Sequence, residues 1–191
     1  TYRALLETEK PDVSVLVNCA GFGKFGTYAE IPTEVACEMI DLNCKALVRS
    51  TEYTLPYMQA GAHIVELDSL SSFQPVPYIG VYGATKAFVL SYSRALNVEL
   101  RPRGIKVMAV CPGWVRTDFF DRAKTDCTDA VTYFNKMYEA KDVVDTAMRD
   151  LYKPKKDVSI HGFPVRAQVL AVKLLPHRLV MRTWMKQQKH L

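Results

Sequence analysis

A chain of 191 residues, 49% hydrophobic and 24% charged, suits one globular domain with a sizeable core and excludes a disordered segment. No apolar run approaches the ~18 residues of a membrane span, and the opening TYRALLETEK lacks the order of a signal peptide, so a cytoplasmic setting is expected. The net charge of +5 is concentrated in residues 161–191, which hold Arg166, Lys173, Arg178, Arg182, Lys186 and Lys189 and no carboxylate; no nucleic-acid-binding motif accompanies them, so no nucleic-acid partner is expected.

The chain opens on what reads as the second half of a helix. DVSVLVN (12–18), AHIVELD (62–68) and GIKVMAV (104–110) are short, rich in β-branched residues and apolar on both faces, as strands of a covered parallel sheet are. DVSI (157–160) is a weaker fourth. Helical stretches separate them: 34–59, interrupted near Asn43 and by Pro56; 82–101, with Ala84, Phe88, Tyr92, Leu96 and Leu100 every four residues and Pro102 as a stop; and 141–152. Strand and helix alternating in this way predict an α/β sheet with right-handed crossovers in a single domain. GFGKFG (21–26) follows a strand, but the next helix starts too far downstream to hold a pyrophosphate there, so the segment reads as a loop. The odd set of Cys19, Cys37, Cys44, Cys111 and Cys127 has no C-x-x-C pair and no zinc spacing; it predicts neither disulfides nor a metal site, and the five read as small buried apolar residues.

VYGATKAF (81–88) places Tyr82 four residues before Lys86 at the start of a helix, about one turn apart on one face. An ammonium beside a phenol favours the phenolate and lowers a pKa that is ordinarily ~10, which makes tyrosine a usable general acid and base. Thirteen residues upstream, Ser69 follows directly on a parallel strand, at the end of the sheet where ligands bind. A hydroxyl there can hold a substrate oxygen on which charge develops; a serine in DSLSSF is also an ordinary helix cap.

Together, VNCAG (17–21), Asn43 in DLNCKA, Ser69, YGATK (82–86) and PGWVRT (112–117) resemble, in order and spacing, the short-chain dehydrogenases/reductases, and within them the branch of steroid and 3-ketoacyl reductases. The resemblance runs from about Val13 to Arg149. It implies a Rossmann-like doubly wound parallel sheet and an NADP- or NAD-dependent oxidoreductase that moves hydride between the nicotinamide and a carbonyl or alcohol. It also implies roles. Tyr82 is the general acid/base, Lys86 lowers its pKa and binds the nicotinamide ribose, Ser69 holds the substrate oxygen, and Asn43 marks a helix irregularity with a proton relay. Asn18, Ala20 and Gly21 lie on the adenine side of the cofactor, while Pro112, Gly113, Val115 and Thr117 wrap the nicotinamide. A homodimer or homotetramer is the family expectation.

Three positions depart from the family pattern: Cys19 stands for a second Asn, and Asp68 precedes Ser69 where Ser or Gly is usual. The third departure is larger. The Gly-rich phosphate turn and the residue that separates NAD from NADP would lie before Thr1, so ~70 residues are expected to be missing from an N-terminally incomplete chain with 12–18 as an uncovered edge strand. A catalytically inactive dimerisation or binding module is the alternative reading. Residues 113–140 take the place of a substrate loop, whose Trp114, Phe119, Phe120, Tyr133, Phe134 and Tyr138 either line a lipophilic pocket or pack on the sheet or a dimer mate. The basic extension 161–191 places Leu175, Leu179, Arg182 and Lys186 on one stripe, with Val180, Met181 and Trp184 beside it. Such a helix more often caps its own domain than lies on an anionic membrane.

Overall fold

The computed structural model describes residues 1–123 and 130–188. Cys127 and Lys189 lie outside the described residues. Helix α1 (Tyr2–Glu9) is capped by Thr1, whose Oγ1 accepts the Ala4 amide, and ends at Lys10 in the left-handed conformation. Strand β1 (Val15–Asn18) leads through an irregular segment that includes GFGKFG, as read from sequence, to α2 (Thr33–Ile40). The interruption expected at Asn43 is a π-helical turn, Asp41–Ala46, continuous with α3 (Leu47–Thr54), and Pro56 sits in the tight turn Leu55–Tyr57 that ends the run.

Strand β2 (His63–Leu67), a tight turn Leu70–Phe73, the long helix α4 (Gly80–Glu99) and strand β3 (Lys106–Val110) form the centre. Then follow β4 (Trp114–Arg116), α5 (Phe119–Ala123), β5 (Met137–Glu139), α6 (Ala140–Leu151), β6 (Val158–Ser159), α7 (Phe163–Leu174) and α8 (His177–Gln187). The main sheet has the order β1-β2-β3-β6 and is wholly parallel, with Val17 opposite Val65, Val65 opposite Met108 and Val110 opposite Ser159. Strands β4 and β5 pair separately, also in parallel, inside the segment read as a substrate loop.

Parallel strands need crossovers, and the crossover helices cover both faces. Alternation along β3 sends Val107 to one core with Leu55, Met58, Ile64, Leu96 and Leu100, and Met108 to another with Val143, Leu151 and Val165. Strand β1 is the edge of the described sheet: Val15 and Val17 are exposed, Val17 by 53%, which matches the uncovered edge read from the sequence.

Two expectations need correction. On α4 the every-fourth-residue stripe is not the buried face: Ala84 and Phe88 are exposed whereas Leu96 and Leu100 are buried. Four residues advance ~400° on a helix of 3.6 residues per turn, so the row rotates ~40° at each step and crosses from solvent into the core. The buried face is Thr85, Lys86, Val89, Leu90, Ser93, Leu96 and Asn97. Of the cysteines, Cys44 and Cys111 are buried and unpaired as expected, but Cys19 and Cys37 are exposed, because one lies on the loop leaving the edge strand and the other on the outer face of α2.

Candidate active site

Residues leaving the carboxyl ends of β1, β2 and β3, together with the first turn of α4, surround a cavity of about 530 Å³. Tyr82 and Lys86 meet there one helical turn apart. Lys86 is only 6% exposed; its Nζ donates to the Leu67 carbonyl at 2.6 Å and lies 5.8 Å from the centre of the Tyr82 ring. Two residues beyond Leu67, Ser69 caps the turn Leu70–Phe73, its Oγ accepting the Ser71 amide at 3.2 Å, and lines the cavity together with Tyr82, whose pKa it lowers. Cap and site roles thus coexist in one hydroxyl.

The electrostatics differ from the sequence expectation for Tyr82. Burial pushes its pKa above the ordinary range, the Ser69 hydroxyl pulls it down, and the Asp68 charge adds to the rise. Lys86 is itself lowered by burial, an effect that Asp68 opposes. In the chain by itself desolvation outweighs the pull of Ser69, and the phenol is held protonated.

Asn43, 1% exposed, comes from the π-helical turn and clamps the loop after β1: its Oδ1 accepts the Phe22 amide at 3.0 Å, and its Nδ2 donates to the Phe22 carbonyl at 2.9 Å and to Thr85 Oγ1 at 3.0 Å. Two glycines of that loop work by lacking a side chain. A Cβ on Gly21 would lie 2.9 Å from Asn43 Oδ1 and 3.7 Å from Lys86 Nζ; one on Gly23 would meet the Tyr82 ring at 2.8 Å and Phe119 at 2.9 Å. GFGKFG is therefore a loop that packs its bare backbone against α4, a role its spacing did not disclose.

Gly21, Ser69, Tyr82, Lys86, Pro112, Gly113, Val115 and Thr117 all line the cavity. Asn43 sits behind it, and Ala20 is exposed. Asn18 is turned into the interior, where its Nδ2 donates to Thr51 Oγ1 at 2.9 Å and Glu66 Oε1 at 3.2 Å. The lining fits the nicotinamide and ribose end of a dinucleotide: the open backbone at Gly21 keeps space beside the Lys86 ammonium, and the Thr117 hydroxyl and Val115 stand on the facing wall.

Asp68 is buried against this site. Its Oδ2 accepts from Cys111 Sγ at 3.2 Å, its Oδ1 has no hydrogen-bond partner among the described residues, and burial pushes its carboxyl up to about 7 against the opposing pull of Cys111, Lys86, Ser72 and the Ser69 backbone. The Cys111 thiol is raised well above its ordinary value by burial and by the Asp68 charge.

The outer part of the cavity is apolar. Trp114, Phe119, Phe120 and Tyr133 line it as expected of the variable loop, with Phe25 and Phe134 packed among them; Phe25 and Trp114 meet edge to face at 6.2 Å. Tyr138 instead turns away and packs edge to face on His161 at 4.8 Å. Helices α7 and α8 complete the wall through Gln168, Ala171, Val172, Leu175, Val180 and Trp184, a contact that no local pattern signalled. Trp184 is anchored by Nε1–H to the Pro77 carbonyl at 3.0 Å, and the fully buried Gln188 accepts the Thr132 and Tyr133 amides at 2.9 and 3.1 Å, which ties the variable loop to the end of α8.

Comparison with known proteins follows this geometry. The model of the short chain dehydrogenase family matches residues 3–128. An oxidoreductase of Staphylococcus epidermidis is 36% identical over 132 residues, covering 63% of this chain and 57% of its own length. The chain thus spans about half the length of these curated relatives. Among solved structures, a short-chain dehydrogenase from Sphingobium yanoikuyae in complex with NADPH superposes with a TM-score of 0.72 at 30% identity, covering 90% of this chain and 67% of that one. A bulky-bulky ketone specific alcohol dehydrogenase from Comamonas testosteroni gives 0.64 at 26% identity, covering 90% and 66%. With the family model matching well over half of its residues, and with the sheet of its solved relatives, this chain belongs to the short-chain dehydrogenases.

Proposed function

We propose that the protein carrying this sequence reduces the carbonyl of a bulky, uncharged, apolar substrate at the expense of NADPH or NADH. The observation that carries this reading is the meeting of Tyr82, Lys86 and Ser69 on the floor of a cavity whose outer wall is aromatic and aliphatic. Bound there, the nicotinamide supplies the hydride. Every other task falls to side chains of this chain.

Lys86, with the backbone at Gly21 and the hydroxyl of Thr117, holds the ribose and carboxamide end, and Pro112 and Gly113 shape the turn around it. Ser69 donates to the substrate oxygen and orients it toward Tyr82. As negative charge grows on that oxygen, the Tyr82 phenol gives up its proton to it, with the Lys86 ammonium stabilising the phenolate left behind. A phenol held protonated by burial is suited to this direction. Asn43 acts through position, fixing the Gly21–Phe22 backbone against α4 and hence the space beside Lys86. The solved NADPH complex of a 30% identical relative supports the cofactor, and the bulky ketones named for the Comamonas enzyme support the substrate class.

The test is a panel of ketones of increasing apolar bulk, with matched carboxylate-bearing analogues, read by substrate-dependent consumption of NADPH and NADH. Turnover should rise with bulk and fall at least about tenfold for the charged analogues, which meet no cation among the described residues of the apolar outer wall. Equal turnover of charged and neutral ketones would remove the assigned substrate class. A second reading, a binding module without catalysis, would be favoured by dinucleotide binding with no consumption across the whole panel.

A further inference from the structure

Helices α7 and α8 are the wall of the cavity on one side and expose an apolar stripe on the other. On α7, Val165, Val169 and Val172 point inward, while Phe163, Leu170 and Leu174 are 81%, 61% and 77% exposed. These three stand seven and four residues apart, so they form one row along the helix. Leu175 and Leu179 continue it, both more than two-fifths exposed. Exposed cations flank the row at Arg166, Lys173, Arg178, Arg182 and Lys186, and residues 161–191 contain no Asp or Glu. Lys173 reaches over the Phe73 ring at 5.1 Å, and the Arg166 Nε donates to the Ile160 carbonyl; both charges stay at the surface.

We infer that the outer face of α7 and α8 docks on an anionic lipid surface, lying in the interface and placing the mouth of the substrate cavity against it. Neither helix, at 12 and 11 residues, is long enough to cross a bilayer, and no described helix qualifies as a span. An amphipathic pair with leucine and phenylalanine on one row and only lysine and arginine around it suits the boundary between headgroups and acyl chains. A second copy of the chain is a poor occupant, since a two-fold contact through this face would set its cations against each other with no carboxylate to pair them. Ala171 and Leu175 belong both to the exposed helix surface and to the cavity lining. An apolar carbonyl compound dissolved in the lipid therefore has a continuous apolar route into the site. The docking rests on the surface alone; the route rests also on the proposed carbonyl reduction.

The experiment is flotation of the 191-residue chain with vesicles of phosphatidylcholine alone and of phosphatidylcholine mixed with phosphatidylserine, at low and high salt, without cofactor or substrate. Binding to the mixed vesicles should exceed binding to the neutral ones by about tenfold and weaken with salt. A Leu170→Glu/Leu174→Glu double variant should lose it, whereas Val98→Glu, on the exposed face of α4, should keep it; circular dichroism checks that each variant is folded. Because the readout needs no turnover, Tyr82→Phe should bind vesicles as the parent does, which separates failure of the docking from failure of the proposed reaction. Absent binding, equal binding to both vesicle types, unchanged binding by the double variant, or a dimer that buries the face and excludes vesicles would each overturn the inference.

Discussion

Glu66, on β2, and Asp68, the first residue past its end, stand two residues apart, both buried, and burial pushes both carboxyls up to about 7. Their neighbours make them different groups. Glu66 faces neutral donors: its Oε1 accepts from Thr51 Oγ1 at 3.0 Å and from Asn18 Nδ2 at 3.2 Å, so one side chain ties β2 to β1 and α3. Asp68, one step nearer the cavity, faces the Cys111 thiol, the Lys86 ammonium and, through its charge, the Tyr82 phenol. A raised carboxyl pKa is therefore no mark of function on this strand. What the carboxyl looks at separates a structural tie from a group that can tune the proton donor.

The largest stability effect should come from Glu66→Leu, which strands the hydroxyl of Thr51 without its acceptor and leaves the Asn18 amide only Thr51 Oγ1 to donate to. Chemical denaturation should show a loss of about 1–3 kcal/mol, the cost of one buried group left unpaired. A loss below ~1 kcal/mol would mean that the tie contributes little.

Next, Asp68→Asn should shift the alkaline limb of the reductase pH profile. Asp68, when ionised, raises the Tyr82 pKa, so removing its charge lowers that pKa, and activity that needs protonated Tyr82 is lost at lower pH, by roughly one unit. Glu66→Gln should leave the limb where it is. Equal shifts in both variants would erase the distinction between the two carboxylates.

Thermal stability against pH tests what they share. Each carboxyl has a folded pKa of about 7 against an unfolded value of ~4, so the folded state binds the proton more tightly. Their contribution is complete below ~4 and is lost as pH rises through 7. The melting temperature should fall over that window, and less steeply in Glu66→Gln and in Asp68→Asn. The smallest effect belongs to Cys111→Ala: without the thiol that faces Oδ2, the Asp68 carboxyl should rise a little further and the reductase pH profile should move by less than about half a unit.

The same strand shows how far the sequence could be read. β-branched runs and a helix stop at Pro102 are local signals, and they located β1, β2, β3 and α4 to within two or three residues. Of the residues brought to one cavity, Ser69, Tyr82 and Lys86 were legible because strand ends and helix starts converge at one edge of a parallel sheet, and the 112–117 turn only through the family resemblance. Long-range pairs were not. Nothing local tells that Asn18 turns inward to Glu66 across 48 positions, or that Cys111 meets Asp68 across 43. Nor did the every-fourth-residue row on α4 reveal which way the helix was rotated. Periodicity found an amphipathic tail but not that its apolar side is divided between the cavity wall and an exposed row.

The central claim, that Tyr82 delivers the proton in carbonyl reduction, is tested most directly by turnover of Tyr82→Phe in the protein carrying this sequence, with dinucleotide affinity measured separately. The ring stays, so packing against Phe119 at 5.4 Å and beside Lys86 is preserved while the donor is removed. Turnover should fall by about 10²–10⁴-fold with dinucleotide affinity nearly unchanged. Turnover within about threefold of the parent enzyme would contradict the account and move the proton to another group in the cavity.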